Sequence, residues 1–356
     1  MPASVPTAEA PVLSVRNLIK HYESRRRFLG GSAPSVLAVD DISFDIQAQE
    51  TLGLVGESGC GKSTAARAIM RLIEPSSGEV FLNGHSLTAA SGAELRRLRR
   101  GMQMVFQDPY SSLNTRMRVR DIIAEPLRNY LSLSESALEE NLIELIACVG
   151  LEASHLNRYP HEFSGGQRQR IGIARALALR PQLIICDEPV SALDVSVRAQ
   201  VVNLLRDLQA RFALSYLFVA HDIAVVEHIS HRVAVMYLGR IVEIGPTKGV
   251  LGRPLHPYTQ ALLSAVPRAH PRAPRQRMAL TGEIPSPLSP PSGCRFHPRC
   301  PIAVERCRRE TPVLRVLDDG HFAACHLRAP PNTTAARSAL EQQAGQPLNL
   351  EEGARS

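Results

Sequence analysis

Long hydrophobic runs are missing from this sequence of 356 residues. No apolar run approaches the roughly 20 residues that a helix needs to cross a bilayer. The first residues, Met1 to Pro11, also lack the basic and then apolar layout of a secretory leader. We therefore expect a cytoplasmic protein without a membrane-spanning helix.

A concentrated basic segment is missing too, although the formal net charge is +7. The arginines are scattered over predicted helices and tails, and the densest cluster, Arg25 to Arg27, is short. A basic surface beside anionic lipid headgroups explains this charge as well as nucleic-acid binding does. The seven cysteines do not indicate a disulfide framework in a chain expected in the cytoplasm.

The length and pattern of the chain predict about two domains with ample material for a core, since 44% of the residues are hydrophobic. Short apolar strands alternate with helices up to about Pro246, where we expect the core to end. Between Val119 and Leu179 the apolar residues recur at helical spacing, which predicts a helical insertion. A short helix (Pro257 to Ala265), a linker (Pro267 to Arg277), a module rich in cysteine (Gly282 to Arg328) and a polar tail follow.

The stretch GESGCGKST has the composition of a loop that binds phosphate. It matches G-x-x-x-x-G-K followed by Ser or Thr, and it lies between an apolar strand and a predicted helix. Its glycines allow successive backbone N–H groups to approach phosphate oxygens, Lys62 would reach the β- and γ-phosphates, and Ser63 would bind Mg²⁺. The alternative is a glycine-rich turn with a chance lysine. The predicted nucleotide ligands, here called the phosphate loop, are Gly56, Glu57, Ser58, Gly59, Cys60, Gly61, Lys62, Ser63 and Thr64.

Polar side chains follow three further predicted strands. LIICDE ends in Asp187, expected near Mg²⁺, and Glu188, which could orient the attacking water. His221 follows another strand and could donate to the γ-phosphate. Gln107 follows a third strand and could contact the metal or the attacking water. Each has an alternative without function. Asp187 and Glu188 could be a surface acidic pair, His221 could be structural, and Gln107 could be a glutamine without a role in the site.

A second anion-binding helix start is predicted at FSGGQRQR. Ser164 can cap the following helix, while Gly165 and Gly166 keep its first turn open beside Gln167. One nucleotide does not need two such sites from one chain. The pattern therefore indicates a partner subunit.

In order and spacing, these motifs resemble those of an ATPase subunit of an ABC transporter. They lie at Gly56–Thr64, Gln107, Ser164–Arg170, Leu183–Glu188, Ser191–Ser196 and His221. The resemblance implies an α/β fold of the P-loop NTPase (ABC ATPase) type, with an antiparallel β subdomain, a helical insertion and a small C-terminal cysteine module. The implied division is a disordered N-terminus (1–10), an ABC ATPase domain (11–250, with the helical subdomain at about 118–179), a C-terminal region with the cysteine module (251–328) and a disordered tail (329–356).

The same resemblance implies ATP and Mg²⁺ as cofactors and a head-to-tail ATPase dimer. ATP would lie between the phosphate loop of one subunit and Ser164, Gly165, Gly166 and Gln167 of the other, with Tyr22 stacked on the adenine. Glu188 would be the catalytic base and His221 the switch histidine. The implied catalytic residues are Lys62, Gln107, Glu188 and His221, and the implied Mg²⁺ ligands are Ser63, Gln107 and Asp187.

A narrower resemblance rests on VFQDPYSSLNTRM, RPLHPYTQALLSAVP and GEIPSPLSPPSGCRFHPRC. These stretches are similar to the F-type ATPase subunit of oligopeptide/dipeptide importers. This implies a second, companion ATPase subunit, two transmembrane permeases, an extracytoplasmic solute-binding protein and a place on the cytoplasmic face of the inner membrane. Peptides are the expected solute, and nickel, glutathione and other small solutes are also imported by this family. The alternatives are an exporter ATPase and a soluble ABC ATPase acting on nucleic acid or ribosomes; we expect no nucleic-acid partner.

Four cysteines of the C-terminal module have the spacing C-x5-C-x6-C-x17-C: Cys294, Cys300, Cys307 and Cys325. All-cysteine sites hold iron–sulfur clusters or zinc, and similar tails in the resembled subfamily carry a 4Fe–4S cluster in some members. A 4Fe–4S cluster, a zinc ion and four free thiols are the alternatives, with His297 and His326 as substitute ligands. Cys60, Cys148 and Cys186 are expected only to pack.

Overall fold

The computed structural model describes residues 10–22, 35–108, 110–265, 283, 285–318 and 320–328. Residues 1–9 of the N-terminus and residues 23–34 are not among them. The predicted linker at Pro267 to Arg277 and the predicted tail from Ala329 also lie outside the described residues. The strands are β1 (Leu13–Tyr22), β2 (Val36–Ile46), β3 (Thr51–Val55), β4 (Ser77–Leu82), β5 (His85–Ser86), β6 (Met102–Val105), β7 (Leu183–Asp187), β8 (Ser215–Ala220), β9 (Arg232–Tyr237), β10 (Arg240–Pro246), β11 (Arg315–Asp318) and β12 (His321–Ala323). The α-helices are α1 (Lys62–Ile69), α2 (Gly92–Arg100), α3 (Val119–Tyr130), α4 (Glu135–Cys148), α5 (Gly165–Leu177), α6 (Val195–Phe212), α7 (Ile223–Ile229), α8 (Thr247–Gly252), α9 (Pro257–Ser264) and α10 (Glu305–Arg309).

The larger sheet has eight strands in the order β11-β12-β10-β9-β3-β8-β7-β6, and its central strands from β9 to β6 are parallel. β3, β7 and β8 are buried along their whole length. Such continuous apolar runs are typical of parallel strands covered on both faces. The carboxyl ends of β3, β6, β7 and β8 consequently lie at one edge, where the predicted site residues follow them.

The smaller sheet is antiparallel, with the order β2-β1-β4-β5. α1 lies between the two sheets, against β1 and β2 on one side and β7 and β8 on the other. β1 is irregular, since its pairing with β2 shifts register after Val15 and Asn17 takes a positive φ of 47°. An irregular strand of this kind loses the strict alternation by which a strand is recognised in a sequence.

The predicted helical insertion is present as α3, α4 and α5, which pack on one another. α4 begins at a serine cap, where the N–H of Ala137 donates to Ser134 Oγ over 3.3 Å. Leu138, Leu142 and Ile146 recur at four-residue spacing on this helix and are buried. These side chains belong to the apolar cluster that also contains Ile184 and Tyr216 of the main sheet. α5 carries the predicted second anion-binding helix start.

The sequence predicts that the core ends near Pro246, but the main sheet continues beyond this residue. β12 pairs with β10, with Glu243 opposite Ala323 and Ile244 opposite Phe322, and β11 pairs with β12. The C-terminal region thus adds two strands to the main sheet. Strands of three and four residues, so far along the chain from their partner, give too short a pattern to be recognised. Within the described ranges, no helix has the length and apolar character to cross a membrane.

Candidate nucleotide-binding and hydrolysis site

The phosphate loop is packed tightly against the backbone of both sheets. A Cβ on Gly61, which has a φ of +108°, would lie 2.0 Å from the carbonyl oxygen of Ala38 on β2. A Cβ on Gly56 would lie 2.2 Å from the carbonyl oxygen of Met236 on β9. Glycine is required at both positions because no side chain fits such a close approach.

Lys62 lies at the first position of α1, inside the curve of the loop, and is only 4% exposed. Its Nζ donates to the carbonyl oxygens of Gly56 at 2.9 Å and Glu57 at 3.0 Å. The loop's own carbonyls thus hold the ammonium group at the phosphate cradle. A buried lysine so placed supplies a positive charge for a polyphosphate.

Ser63 and Asp187 join the phosphate loop to the end of β7. Ser63 Oγ donates to Asp187 Oδ1 over 2.7 Å, while Asp187 Oδ2 is buried without a hydrogen-bond partner. The guanidinium of Arg67 is 3.9 Å from Oδ2, and burial raises the pKa of Asp187 despite the Ser63 hydrogen bond. Mg²⁺ prefers oxygen ligands, and a hydroxyl beside a buried carboxylate oxygen that accepts no hydrogen bond is a suitable pair. These two residues fit the predicted metal position.

Glu188 is the centre of the predicted hydrolytic group. Its Oε2 accepts a hydrogen bond from Gln107 Nε2 at 3.0 Å and lies 3.2 Å from His221 Nδ1. The residue takes a φ of +47°, and its N–H donates to the carbonyl oxygen of Val219. Positive φ is costly for a residue with a Cβ, and such strain is concentrated at functional sites.

Strand order explains why these three side chains meet. β6, β7 and β8 are neighbouring parallel strands, and Gln107, Glu188 and His221 follow their carboxyl ends in turn. The structure therefore brings together the three predicted residues, with a carboxylate oriented by an amide and an imidazole. A carboxylate held in this way can position and deprotonate a water molecule.

Gln107 also lies on the wall of a groove of about 620 Å³ between the core and α3 of the helical insertion.

The start of α5 has the serine cap that the sequence indicated, and anion binding there stays a prediction. Ser164 Oγ accepts from the N–H of Gln167 at 3.3 Å, and the Gln167 side chain accepts from the N–H of Ser164 at 3.0 Å. This reciprocal capping box leaves Ser164 exposed at the start of α5. A Cβ on Gly166 would meet Val197 Cγ1 at 2.3 Å, so this glycine allows the close approach of α6, while Gly165 stays partly exposed.

Tyr22 is exposed at the end of β1, with Lys20 Nζ 5.2 Å from its ring centroid. It pairs with Val36, two residues before Ala38, the residue whose carbonyl faces Gly61. The end of β1 therefore lies beside the part of β2 that contacts the phosphate loop. Stacking on adenine stays a prediction.

Two residues of the C-terminal region contact the phosphate loop and were missed in the sequence. The N–H of Glu57 donates to Tyr258 Oη at 2.9 Å, and the Glu57 carboxylate forms a two-point ion pair with Arg299, at 2.9 and 3.2 Å. Both lie in stretches that supported the family resemblance, RPLHPYTQ and GCRFHPRC. Those stretches carry no chemical pattern of their own that indicates a contact with the loop.

The four cysteines of the C-terminal module do not form a metal-ligand group in the described part of the chain. The N–H of Cys294 donates to the carbonyl oxygen of Cys307, and burial, with smaller contributions from the nearby thiols, raises the pKa of Cys294 to about 11. His297 and His326 each place a ring nitrogen against a backbone carbonyl. The geometry therefore gives no support to the predicted 4Fe–4S or zinc site at Cys294, Cys300, Cys307 and Cys325.

The other three cysteines pack, as expected. Cys60 and Cys186 are buried in the core, and Cys148 packs partly buried against it.

Comparisons with known proteins agree with this geometry. A family model described as ABC transporter matches residues 39–191, and one described as oligopeptide/dipeptide transporter, C-terminal region, matches residues 242–307. The chain is 56% identical over 319 residues to the probable peptide ABC transporter ATP-binding protein y4tS of Sinorhizobium fredii, covering 90% of each chain. It is 50% identical over 319 residues to the oligopeptide transport ATP-binding protein AppF of Bacillus subtilis, covering 89% of this chain and 97% of AppF.

A solved structure shows the same fold. The ATP-binding cassette MJ0796, a dimer in a post-hydrolysis state bound to ADP and Pi, has a TM-score of 0.59 and 27% identity over 67% of this chain and 99% of its own. The predicted family and fold class are thus confirmed. This chain belongs to the family of ATP-binding subunits of ABC transporters, in the branch that carries the oligopeptide/dipeptide transporter C-terminal region.

Proposed function

We propose that this chain binds ATP with Mg²⁺ and hydrolyses it as one half of a head-to-tail ATPase dimer that powers the import of peptides or a related small solute. In this proposal Lys62 and the backbone of the phosphate loop bind the phosphates, Ser63 and Asp187 hold Mg²⁺, and Glu188 activates the water. The exposed helix start at Ser164 closes the site of the partner subunit. Bound Mg²⁺ would neutralise charge on the β- and γ-phosphates.

The observation that carries the proposal is the placement of Glu188. Gln107 and His221 orient its carboxylate at the same sheet edge that holds the phosphate loop. A nucleotide-binding protein without hydrolysis has no need for three polar side chains gathered next to the metal position. Phosphoryl transfer requires a water-positioning group of this kind.

The test of hydrolysis compares Glu188→Gln with a matched control, Glu227→Gln, on the exposed face of α7. Glu188→Gln removes the base and keeps a side chain of the same shape. We expect ATP binding to persist, ATP turnover to fall by about 10²- to 10⁴-fold, and the variant to accumulate as an ATP-bound dimer in size-exclusion chromatography. Turnover near the wild-type rate would mean that Glu188 is not the base.

The proposed solute and partners rest on the relatives. The named relatives are peptide and oligopeptide transport proteins, and MJ0796 is dimeric. In the proposed complex a companion ATPase subunit, two permeases and an extracytoplasmic solute-binding protein complete the importer, on the cytoplasmic face of the membrane. The groove between Gln107 and α3 is the surface that we propose for contact with a permease.

The partner proposal is tested by purifying the full chain from its own cells under mild detergent. We expect two hydrophobic permeases and a second ATPase to co-purify, and uptake of labelled di- to pentapeptides to stop in cells that carry Glu188→Gln. Ribosomes or nucleic acid in place of permeases would overturn the transport assignment. Peptide uptake at the wild-type rate in those cells would overturn peptide as the solute.

A further inference from the structure

Two residues of the C-terminal region, Arg299 and Tyr258, bind Glu57 in the first turn of the phosphate loop. Arg299 is 6% exposed, and its two terminal nitrogens donate to the two carboxylate oxygens of Glu57. Tyr258 is fully buried and accepts the N–H of the same glutamate. The backbone of Glu57 is therefore bound to a residue 201 positions further along the chain, and its side chain to a residue 242 positions further along. A two-point, charge-assisted pair of this type fixes orientation as well as distance.

A buried aromatic cluster supports the two side chains that contact Glu57. The rings of Tyr237, Tyr258 and Phe296 pack on one another, with centroids 4.6 to 5.5 Å apart. Tyr237 Oη also accepts from Arg299 Nη1 at 3.4 Å. This aromatic cluster is buried under the loop, where it fixes the positions of both the guanidinium and the phenol.

A parallel set of contacts joins the same C-terminal segment to the other side of the loop. Arg295, four residues before Arg299, donates to the carbonyl oxygen of Leu238 and to Asp40. Gly239, which follows Leu238 in the chain, donates its N–H to the carbonyl oxygen of Cys60 in the phosphate loop at 2.8 Å. The segment from Arg295 to Arg299 therefore supports the loop at two points.

Lys62 connects these supports to the nucleotide. Its Nζ donates to the carbonyl oxygen of Glu57, the residue that Arg299 and Tyr258 hold. If Glu57 rotated, this carbonyl and the neighbouring N–H groups would leave the geometry that the phosphates require, because the peptide units of the turn move together.

We propose that Arg299 and Tyr258 are positioning residues for ATP, which set the conformation of Gly56 and Glu57 and so make the C-terminal region part of the nucleotide site. The inference rests on the proposed binding of ATP at the phosphate loop. Neither residue touches the hydrolytic group of Gln107, Glu188 and His221. Their loss therefore weakens ATP binding and leaves the chemical step intact.

The experiment measures KM for ATP and kcat of the full-length chain in three variants: Arg299→Gln, Glu57→Gln and Tyr258→Phe. Arg299→Gln and Glu57→Gln each break the charged pair, and we expect KM to rise about ten- to a hundredfold with kcat within about twofold of the wild type. Tyr258→Phe removes one neutral hydrogen bond, and we expect a rise of about two- to tenfold. The double variant Glu57→Gln/Arg299→Gln should show less than the product of the single effects, because both remove the same pair.

The matched control is Arg309→Gln, which removes an arginine of the same module whose side chain is 76% exposed and paired with Glu305 on the surface. We expect its KM to equal that of the wild type. A purely structural role would lower the active fraction, so that kcat falls while KM is unchanged, and this result in Glu57→Gln and Tyr258→Phe would overturn the inference. A KM within twofold of the wild type in all three variants would overturn it as well. If Arg299→Gln does not fold, the other two variants decide.

Lys62→Ala separates this inference from the proposed function. Loss of ATP binding in Lys62→Ala together with unchanged binding in Arg299→Gln rejects only the positioning role. Unchanged ATP binding in Lys62→Ala rejects the proposed nucleotide site itself.

Discussion

The Ser63 hydroxyl donates a hydrogen bond of 2.7 Å to Asp187 Oδ1, and the second oxygen of that carboxylate is buried without a hydrogen-bond partner. The bond connects the phosphate loop to the strand that carries the hydrolytic glutamate. Burial disfavours the ionised form of Asp187 and raises its pKa, so an ionised carboxylate here has a cost to the stability of the nucleotide-free protein. Such a cost is expected where a cation is to be bound.

Replacement of Asp187 by Asn should separate function from stability. Without the carboxylate, Mg²⁺-dependent ATP turnover should fall by at least about 10- to 100-fold, the range found when groups that only orient the metal ligands are changed. Because burial raises the pKa of Asp187, its contribution to stability is full below the unfolded-state pKa of about 3.9 and is lost as pH rises through the folded-state pKa. Asp187→Asn should therefore be at least as stable as the wild type at pH 7 without nucleotide and metal.

The measurement is thermal unfolding between pH 4 and pH 8, beside an ATPase assay with titrated Mg²⁺. Asp207→Asn, on the exposed face of α6, is the control and should change neither quantity. A melting temperature several degrees below the wild type at pH 7 would contradict the assignment of the buried charge as destabilising.

Gln107 and His221 should act as a unit through Glu188. Both contact the same oxygen, Oε2, so each alanine variant leaves the carboxylate poorly oriented. We expect each to lower kcat by about 100-fold, and the double variant to lose much less than the product. His221 is 53% exposed, so its loss should not change the melting temperature. His228→Ala, an exposed histidine of α7, is the control, and fully additive effects would mean that the two residues act separately.

The sequence predicts the hydrolytic group because each member follows an apolar strand of a parallel sheet. The carboxyl ends of such strands meet at one edge, so Gln107, Glu188 and His221 are brought together by topology alone. Arg299 and Tyr258 are different, since their approach to Glu57 depends on how the C-terminal region folds back onto the sheet. The pairing of β12 with β10 that accompanies this return rests on three residues, too few for a periodic signal.

The cysteine module shows what residue spacing in a sequence cannot predict. Spacing alone indicates that four thiols lie in one small unit, but ligand geometry and protonation depend on local packing. Burial raises the pKa of Cys294, and a carbonyl holds each of the two histidines. Spacing therefore predicts proximity here and not coordination.

Gly61→Ala should abolish nucleotide binding. The added Cβ would lie 2.0 Å from the carbonyl oxygen of Ala38, at a φ that alanine rarely takes. Together the clash and the strain should lower the free energy of unfolding by about 2 to 4 kcal/mol. Gly172→Ala is the control, because a Cβ there meets nothing within 4 Å on helix α5 and should add up to about 1 kcal/mol of stability. Normal binding of a fluorescent ATP analogue by Gly61→Ala would show that the loop does not need this close approach.

Purified without its proposed companion, this chain should pair with a second copy of itself, and mixing two inactive variants should then restore activity if ATP is shared between the two copies. Lys62→Ala disables the phosphate loop, and Ser164→Glu keeps an acceptor at the start of α5 but repels the phosphates of the opposite site. In a head-to-tail dimer of the two, one site has both defects and the other has none. Random pairing then gives about a quarter of the wild-type turnover, because half of the dimers are mixed and each has one intact site. Ser136→Glu, on the exposed surface of α4, should be active alone. A mixture no more active than its two components would contradict a shared site between copies of this chain, because a site built within one subunit gains nothing from exchange.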